Sequence, residues 1–519
     1  MGAFQMQRAL SSAWDHGAIL NQLESILIRN KRQATWWLAG IVFVILNVLL
    51  RFSVNQPPAW DGAMSVYPAA IELSRTNFDF ARLFSLPTYA EGGPNTHATS
   101  PWTTLVAALI SLTGSLSSAL PVLHVVSFGL AALTVAAAYR LIAHSAPGLI
   151  AVLGALAVLL FPPMIAQTAD IYLDLPLACL GTWGLVMLLE RRFIAASGLI
   201  TLAVWVKPLA VIYAAVLLGF VLIYGEHRRR VLRAIGLALP PLVAAAVISV
   251  LQSARSPGLP LVDRYFAAVG TSGEFLASMP DLVAIIALTL ILIVVSFKDP
   301  APPETFRMMS LVLISSLAFV ILNPLISQGI QFLPRYYLAL VPALIAGVIT
   351  FLAIKSRPIA FIAVSILLLT FATNINGDFY RYRDHPYYAL AERSLAYRDL
   401  MTLQMEDVAV LSELSQEMPV YYDYFAFYRL EYPELGYSDG PLESGVSIFH
   451  NRELADATLA DMPSRFAFIF EYPVLGGEVL LNIWDEAKAS GANVIETALS
   501  RGRFTVYVIE VDQGGAVSP

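Results

Sequence analysis

Apolar runs of near-bilayer length recur along most of this chain, divided by short polar or charged stretches. They centre on residues 35–53, 119–142, 147–166, 171–190, 193–207, 208–225, 231–251, 281–297, 306–325, 335–354 and 358–375. A helix needs roughly 17–25 mostly apolar residues to cross a hydrocarbon core of about 30 Å, so each run predicts a spanning helix. One further run, 101–116, is shorter and carries Thr103, Thr104, Ser111, Thr113, Gly114 and Ser115. From about Gly377 the hydrophobicity collapses. Strand-like runs at Val420–Tyr422, Phe466–Phe470 and Phe504–Val511 then alternate with helix-like stretches at Ala389–Glu406 and Gly477–Ser490. That alternation predicts a small α/β module.

Basic residues decide how the chain threads. If 101–116 crosses, Arg228, Arg229, Arg230 and Arg233 fall opposite Arg29, Lys31 and Arg32. If it lies in the interface, Arg140, Arg191, Arg192, the Arg228–Arg233 cluster, Lys298, Arg307, Lys355 and Arg357 join the N-terminus on one face. Loops on the cytoplasmic side carry an excess of Lys and Arg, which selects the second arrangement. The expected fold is mainly α: a polytopic transmembrane bundle of about eleven helices, with juxtamembrane helices in the first outer loop and a C-terminal soluble α/β domain. Residues 1–34 form a cytoplasmic N-terminal segment, 35–376 the membrane domain with its outer loop at 54–120, and 377–519 the extracytoplasmic domain.

Composition agrees and narrows the classes. Of 519 residues, 57% are hydrophobic and 13% charged, and the mean hydropathy is +0.67; ordinary soluble domains carry about 25% charged residues. A net charge of −6 gives no reason to expect a nucleic-acid partner. The single cysteine, Cys179, excludes an internal disulfide framework. The first apolar run starts near Thr35 behind a polar stretch, so it reads as an anchor and no cleavable signal peptide is expected.

Ionisable side chains at membrane depth are costly and are functional candidates by default. Four collect at the outer ends of the helices. Asp61 sits in Pro57-Pro58-Ala59-Trp60-Asp61-Gly62; Asp174 lies in Tyr172-Leu173-Asp174-Leu175-Pro176, four residues after Asp170; Lys207 ends Val204-Trp205-Val206-Lys207-Pro208; Arg335 follows Leu333-Pro334. Asp170 and Asp174 share a face if one helix runs through both. Each also has a plainer role: Asp61 as a helix cap, Asp174 as a dipole partner, Lys207 and Arg335 as residues snorkelling to headgroups.

Taken together, these segments resemble the GT-C superfamily of multi-spanning glycosyltransferases that use polyprenyl-phosphate sugars. Its members include lipid A aminoarabinose transferases, protein O-mannosyltransferases and actinobacterial arabinofuranosyltransferases. The matching pieces are Trp60-Asp61-Gly62-Ala63-Met64-Ser65-Val66-Tyr67, the element Thr96-His97-Ala98-Thr99-Ser100-Pro101-Trp102, the Asp174 segment, Lys207-Pro208, and Leu333-Pro334-Arg335-Tyr336-Tyr337 running to Pro342. Each is short. Their order and their common side carry the likeness.

The resemblance implies an inverting sugar transfer to an acceptor hydroxyl on the non-cytoplasmic face of the cell membrane. It makes Asp61 the general base and leaves Asp174 three roles: orienting the acceptor, positioning a cation, or completing a metal site. Lys207 and Arg335 would hold the donor phosphate with His97 and Arg264 as helpers, and Tyr67, Tyr336, Tyr337 and Asp170 would face sugar or acceptor. Partners are a polyprenyl-phosphate-linked sugar, an acceptor lipid, glycan or protein, and membrane lipids; a monomer is expected. Some relatives carry two adjacent acids where this chain has only Asp61 before Gly62, which weakens the case for a bound metal; a divalent cation stays open only if Asp174 or others converge with Asp61. A transporter or flippase stays open too, although no internal repeat of the transporter kind is visible, as does a polymerase or ligase of envelope glycans.

Overall fold

The computed structural model describes residues 30–58, 62–83, 100–225, 229–253, 279–296, 303–326 and 334–378, and most of 394–514. Asp61, His97 and Arg264 lie outside the described residues. The helices of the first part are α1 (Lys31–Leu49), α2 (Tyr67–Arg75), α3 (Pro101–Thr113), α4 (Leu116–Ile142), α5 (Gly148–Leu160), α6 (Pro162–Ala169), α7 (Asp174–Leu189) and α8 (Phe193–Val206). They continue as α9 (Val211–Tyr224), α10 (Arg230–Ser253), α11 (Pro280–Ser296), α12 (Pro303–Ile326), α13 (Val341–Lys355) and α14 (Arg357–Thr373).

Nearly all are apolar around the whole circumference, as a helix must be when one side packs on protein and the other on lipid. The bundle sorts them accordingly. Helix α13 buries most of its length, whereas α1, α10 and α14 leave Trp37, Val48, Leu232, Ile366 and Leu369 exposed. Three helices are long and apolar enough to cross a membrane: Lys31–Leu49, Leu116–Ile142 and Arg230–Ile248. The pair α5 and α6, bent by 63° at Phe161, passes as a fourth. Prolines at 162, 208 and 334 cut other runs into shorter pieces, because proline removes a backbone donor and restricts the residue before it. The expected eleven spans would thus include short helices, which cross only where the bilayer thins locally or flanking residues snorkel. The chain is a multi-pass membrane protein.

Two contacts fix the threading near the N-terminus. Lys31 Nζ donates to Ala143 O at 2.6 Å, which places the start of α1 beside the end of α4. Helices α1 and α4 are thus antiparallel, so α3, between them in sequence, begins and ends at one end of the bundle. Arg140 pairs with Glu190 at the opposite end.

The final part is built on a mixed five-stranded sheet. Its strands are β1 (Val420–Tyr422), β2 (Gly445–Ser447), β3 (Arg465–Tyr472), β4 (Asn493–Arg501) and β5 (Phe504–Asp512), in the order β2-β1-β3-β5-β4. Strand β1 pairs in parallel with β2 and β3, and β5 runs antiparallel to β3 and β4. Alternation along β3 divides the core. Phe466 and Phe468 pack with Leu480 and Ile483 of α16 (Glu478–Ser490), while Ala467 and Ile469 join the core of α15 (Tyr397–Leu414). Helix α15 ends eight residues beyond the expected Glu406. Strand β4 was not foreseen: its burial alternates only between exposed and half-buried, and such an edge strand has no apolar face to announce it.

This unit buries a charge cluster. Arg429 donates to Asp407, to Glu471 at 2.6 Å and to Gln404 O at 3.1 Å, while Gln404 Nε2 reaches both Glu471 oxygens. Burial pushes the Asp407 carboxyl up to about 7, against the pull of Arg429 and with a smaller push from Glu471. The folded state then holds a proton that the unfolded chain releases near the ordinary value of 3.8. Stability from this group is complete below that value and is lost as pH rises through about 7. Thermal unfolding of the purified protein should therefore begin at a higher temperature at mildly acidic than at mildly alkaline pH, and Asp407→Asn should flatten that dependence. An equally steep dependence in the variant would assign it to other groups.

The sheet unit sits on the bundle end that holds residues 54–58 and 374–378. Tyr437 Oη donates to Pro58 O at 2.9 Å, Glu434 pairs with Arg75 of α2, and Arg503 donates to Asn376 O and Asp378 at 2.8 Å each. Leu395 N closes the junction on Ile375 O at 3.0 Å.

Candidate active site

Three buried charges meet at the same end. Asp174 is the first residue of α7, where a carboxylate favours the helix dipole. Lys207 follows the last residue of α8, and Pro208 holds it in an extended conformation (φ −154°, ψ 128°). Its ammonium lies 2.8 Å from each Asp174 oxygen. Arg335 Nε is 3.3 Å from Asp174 Oδ2, and all three side chains are almost fully buried. Aromatic rings enclose the cations: Arg335 Cζ lies 4.5 Å from the Tyr172 ring centre, and the Tyr336 ring takes Lys207 Nζ at 4.6 Å. Such stacking adds attraction where water is excluded.

Neighbouring elements hold each member in place. The turn from Asp170 to Leu173 places Ile171 at φ 50°, a left-handed conformation that costs a β-branched residue about 1–3 kcal/mol. Tyr67 Oη secures that turn by donating to Ile171 O at 2.8 Å. Ser100 caps α3 and donates to Val206 O at 3.2 Å, next to Lys207. Arg335 sits in a 3₁₀ turn, Pro334–Ala339, whose last carbonyl accepts from Tyr213 Oη at 2.7 Å. Tyr213 reaches it because Gly181 lies beneath its ring; a Cβ there would stand 2.1 Å from a ring carbon.

Several expectations change in detail. Asp170 and Asp174 do not share a helix face, because the left-handed Ile171 ends α6 and α7 starts only at Asp174. Arg335 precedes the helix it was expected to start, since the chain stays in the tighter 3₁₀ turn until Val341. Tyr67 and Tyr337 are buried and Tyr336 is half-buried against the cations. Tyr67 thus serves the backbone of the Asp174 turn. Asp170 lies in the turn outside the helices and near Arg335. Enclosure there holds its carboxyl well above the usual carboxylate range, with the Arg335 charge opposing.

The cluster therefore combines one carboxylate with two cations, beside an Asp170 carboxyl that enclosure shifts upward. That excess of positive charge in a dry site suits an anion with several oxygens, such as a phosphate, and Arg and Lys bind one as fork and point charge respectively. A hard cation fits poorly, because both Asp174 oxygens already face cations. Of the roles left open for Asp174, its contacts match the positioning of cations.

Tyr213 went unnoticed in the sequence, and Ser100 was read only as part of the Thr96–Trp102 element, with no role at the Lys207 corner. Gln167 lies on α6, which packs against the Arg335 turn, and its amide is fully buried without a hydrogen-bond partner among the described residues. Nothing separates these from ordinary polar residues of membrane helices in the sequence alone.

No family model and no curated protein matches the chain. Solved structures do. ArnT from Cupriavidus metallidurans in the apo state is 15% identical, with 92% of this chain and 98% of that chain covered and a TM-score of 0.46. The arabinofuranosyltransferase AftD from Mycobacteria is 13% identical over 93% of this chain and 40% of that one, with a TM-score of 0.48. The arabinosyltransferase EmbB from Mycobacterium smegmatis covers 61% and 30% at 14% identity, with a TM-score of 0.37. All three are GT-C glycosyltransferases. The roles of this chain's residues rest on the geometry above.

Proposed function

We propose that this protein is a membrane glycosyltransferase that moves a sugar from a polyprenyl-phosphate donor to an acceptor hydroxyl on the non-cytoplasmic face. The observation that carries the reading is the buried Asp174–Lys207–Arg335 cluster, whose surplus positive charge suits a phosphate. Its setting adds support: the cluster lies at the bundle end opposite Lys31, Arg140 and Glu190. The basic-residue rule assigns that opposite end to the cytoplasm, which makes the sheet unit extracytoplasmic.

The chemistry follows from the donor. A sugar on a lipid phosphate needs no further activation, because phosphate is a good leaving group. Asp61 takes the proton of the acceptor hydroxyl as its oxygen attacks the anomeric carbon. The bond from that carbon to the phosphate oxygen breaks, its electron pair leaves with the phosphate, and configuration inverts by direct displacement. Lys207 and Arg335 stabilise the charge gathering on the leaving group, while Asp174 holds both in place.

Purified protein in lipid nanodiscs, given radiolabelled polyprenyl-phosphate sugars and envelope extract, should transfer label and release polyprenyl phosphate. Lys207→Ala should raise the donor KM about ten- to a hundredfold, the effect of losing one charge-assisted hydrogen bond of about 1.5–3 kcal/mol. A donor recovered intact after translocation would make the protein a transporter. An unchanged donor KM in Lys207→Ala would remove the phosphate assignment.

A further inference from the structure

A cleft of about 960 Å³ separates α2, α3 and the start of α4 from the sheet unit. Its volume lies at the upper end of ligand pockets, about 300–1,000 Å³. It shares no lining residue with the Asp174 cluster. Ser100 at the N-terminus of α3 touches the Lys207 corner, whereas Ile110 and Gly114 at the other end line the cleft. The 13 residues of α3 span about 20 Å, so the cleft is a second place on the same outer surface.

Its lining has a definite chemistry. Hydroxyls arrive from both walls, Ser74 and Ser117 on the bundle side and Ser412, Ser415 and Ser438 on the sheet side. The Ser438 oxygen is buried there without a hydrogen-bond partner among the described residues. Ile71, Ile110, Val408 and Met405 supply apolar surface between the hydroxyls. The charged lining residues are Arg75, Glu434 and Glu443, and Arg75 is already paired with Glu434. A net negative lining repels a phosphate headgroup. Alternating hydroxyl and apolar surface suits a neutral sugar chain, whose rings present both CH faces and hydroxyls. The cleft also connects to the reaction loop, because Tyr437 in its wall donates to Pro58 O, three residues before Asp61.

We infer that this cleft binds the distal part of a neutral glycan acceptor whose reacting end lies at the Asp174 cluster. The inference rests on the proposed sugar transfer and names its acceptor as an extended carbohydrate chain. Ala409 of α15 and Ser117 of α4 are exposed on opposite walls, so Ala409→Trp and Ser117→Trp each fill the cleft from outside the core and outside the catalytic cluster.

The test is binding of purified wild type and both variants to neutral linear oligomers of glucose, mannose and arabinose, short and long, without donor. Wild type should bind long oligomers of at least one sugar more tightly than short ones. Each tryptophan variant should weaken long-chain binding about tenfold or more, and added undecaprenyl phosphate should not compete. Failure of wild type to bind any oligomer, long-chain binding by both variants as tight as that of wild type, or competition by undecaprenyl phosphate would overturn the inference. Chain binding that follows this pattern without any donor turnover would uphold the cleft and sink the transferase reading instead.

Discussion

Asp174→Asn is expected to abolish sugar transfer and to destabilise the protein by about 3–5 kcal/mol, the scale of a broken buried ion pair. The substitution keeps the volume and removes the charge, leaving Lys207 and Arg335 together in a dry site with no counter-charge. Lys207→Ala should cost less stability, because Asp174 then still faces Arg335 at 3.3 Å. Asp174→Asn combined with Lys207→Met should regain part of the lost stability but none of the activity, since one uncompensated cation is gone while the phosphate site stays incomplete. Thermal unfolding in nanodiscs, set out as a double-mutant cycle, gives the coupling directly. An Asp174→Asn protein that melts like wild type would mean that the three charges are not energetically linked.

That prediction draws on features with unequal visibility in the sequence. The helical bundle was legible because lipid imposes long apolar runs, and each of the eleven runs contains a helix. The reading of 101–116 as an interfacial helix came from charge alone, and the Lys31 contact with Ala143 shows that α1 and α4 run antiparallel. Lys207 was placed correctly at its corner because Pro208 disfavours helical backbone in the residue before it. The ion pairing of Lys207 and Arg335 with Asp174 was not legible: 33 residues separate Asp174 from Lys207, and nothing local reports the fold that joins them. The turn at Ile171 was hidden for the opposite reason. A β-branched residue argues against a left-handed conformation, and only the distant Tyr67 hydroxyl makes it tenable. The sheet unit was half-read, since strands buried on alternate faces stand out and the exposed β4 does not.

Asp61→Asn should lower turnover about a hundred- to ten-thousandfold, the usual contribution of a positioned general base, while leaving the melting temperature and donor affinity near those of wild type. The contrast with Asp174 is the point of the experiment. A carboxylate held between two cations is already spent on electrostatics, and accepting a proton would cost it both partners. The base must therefore come from elsewhere. The loop that leads to Asp61 is held at Pro58 by Tyr437 and followed by α2, whose first residue, Tyr67, secures the Asp174 turn. Two independent tethers on one loop are what a base needs, because a displaced proton acceptor loses most of its effect. Donor hydrolysis in water, measured beside transfer to the acceptor, separates the two acids. Asp61→Asn should lose transfer and keep donor binding, whereas Asp174→Asn should lose both. Near-normal transfer by Asp61→Asn would move the proton-accepting role to another acid of the same face.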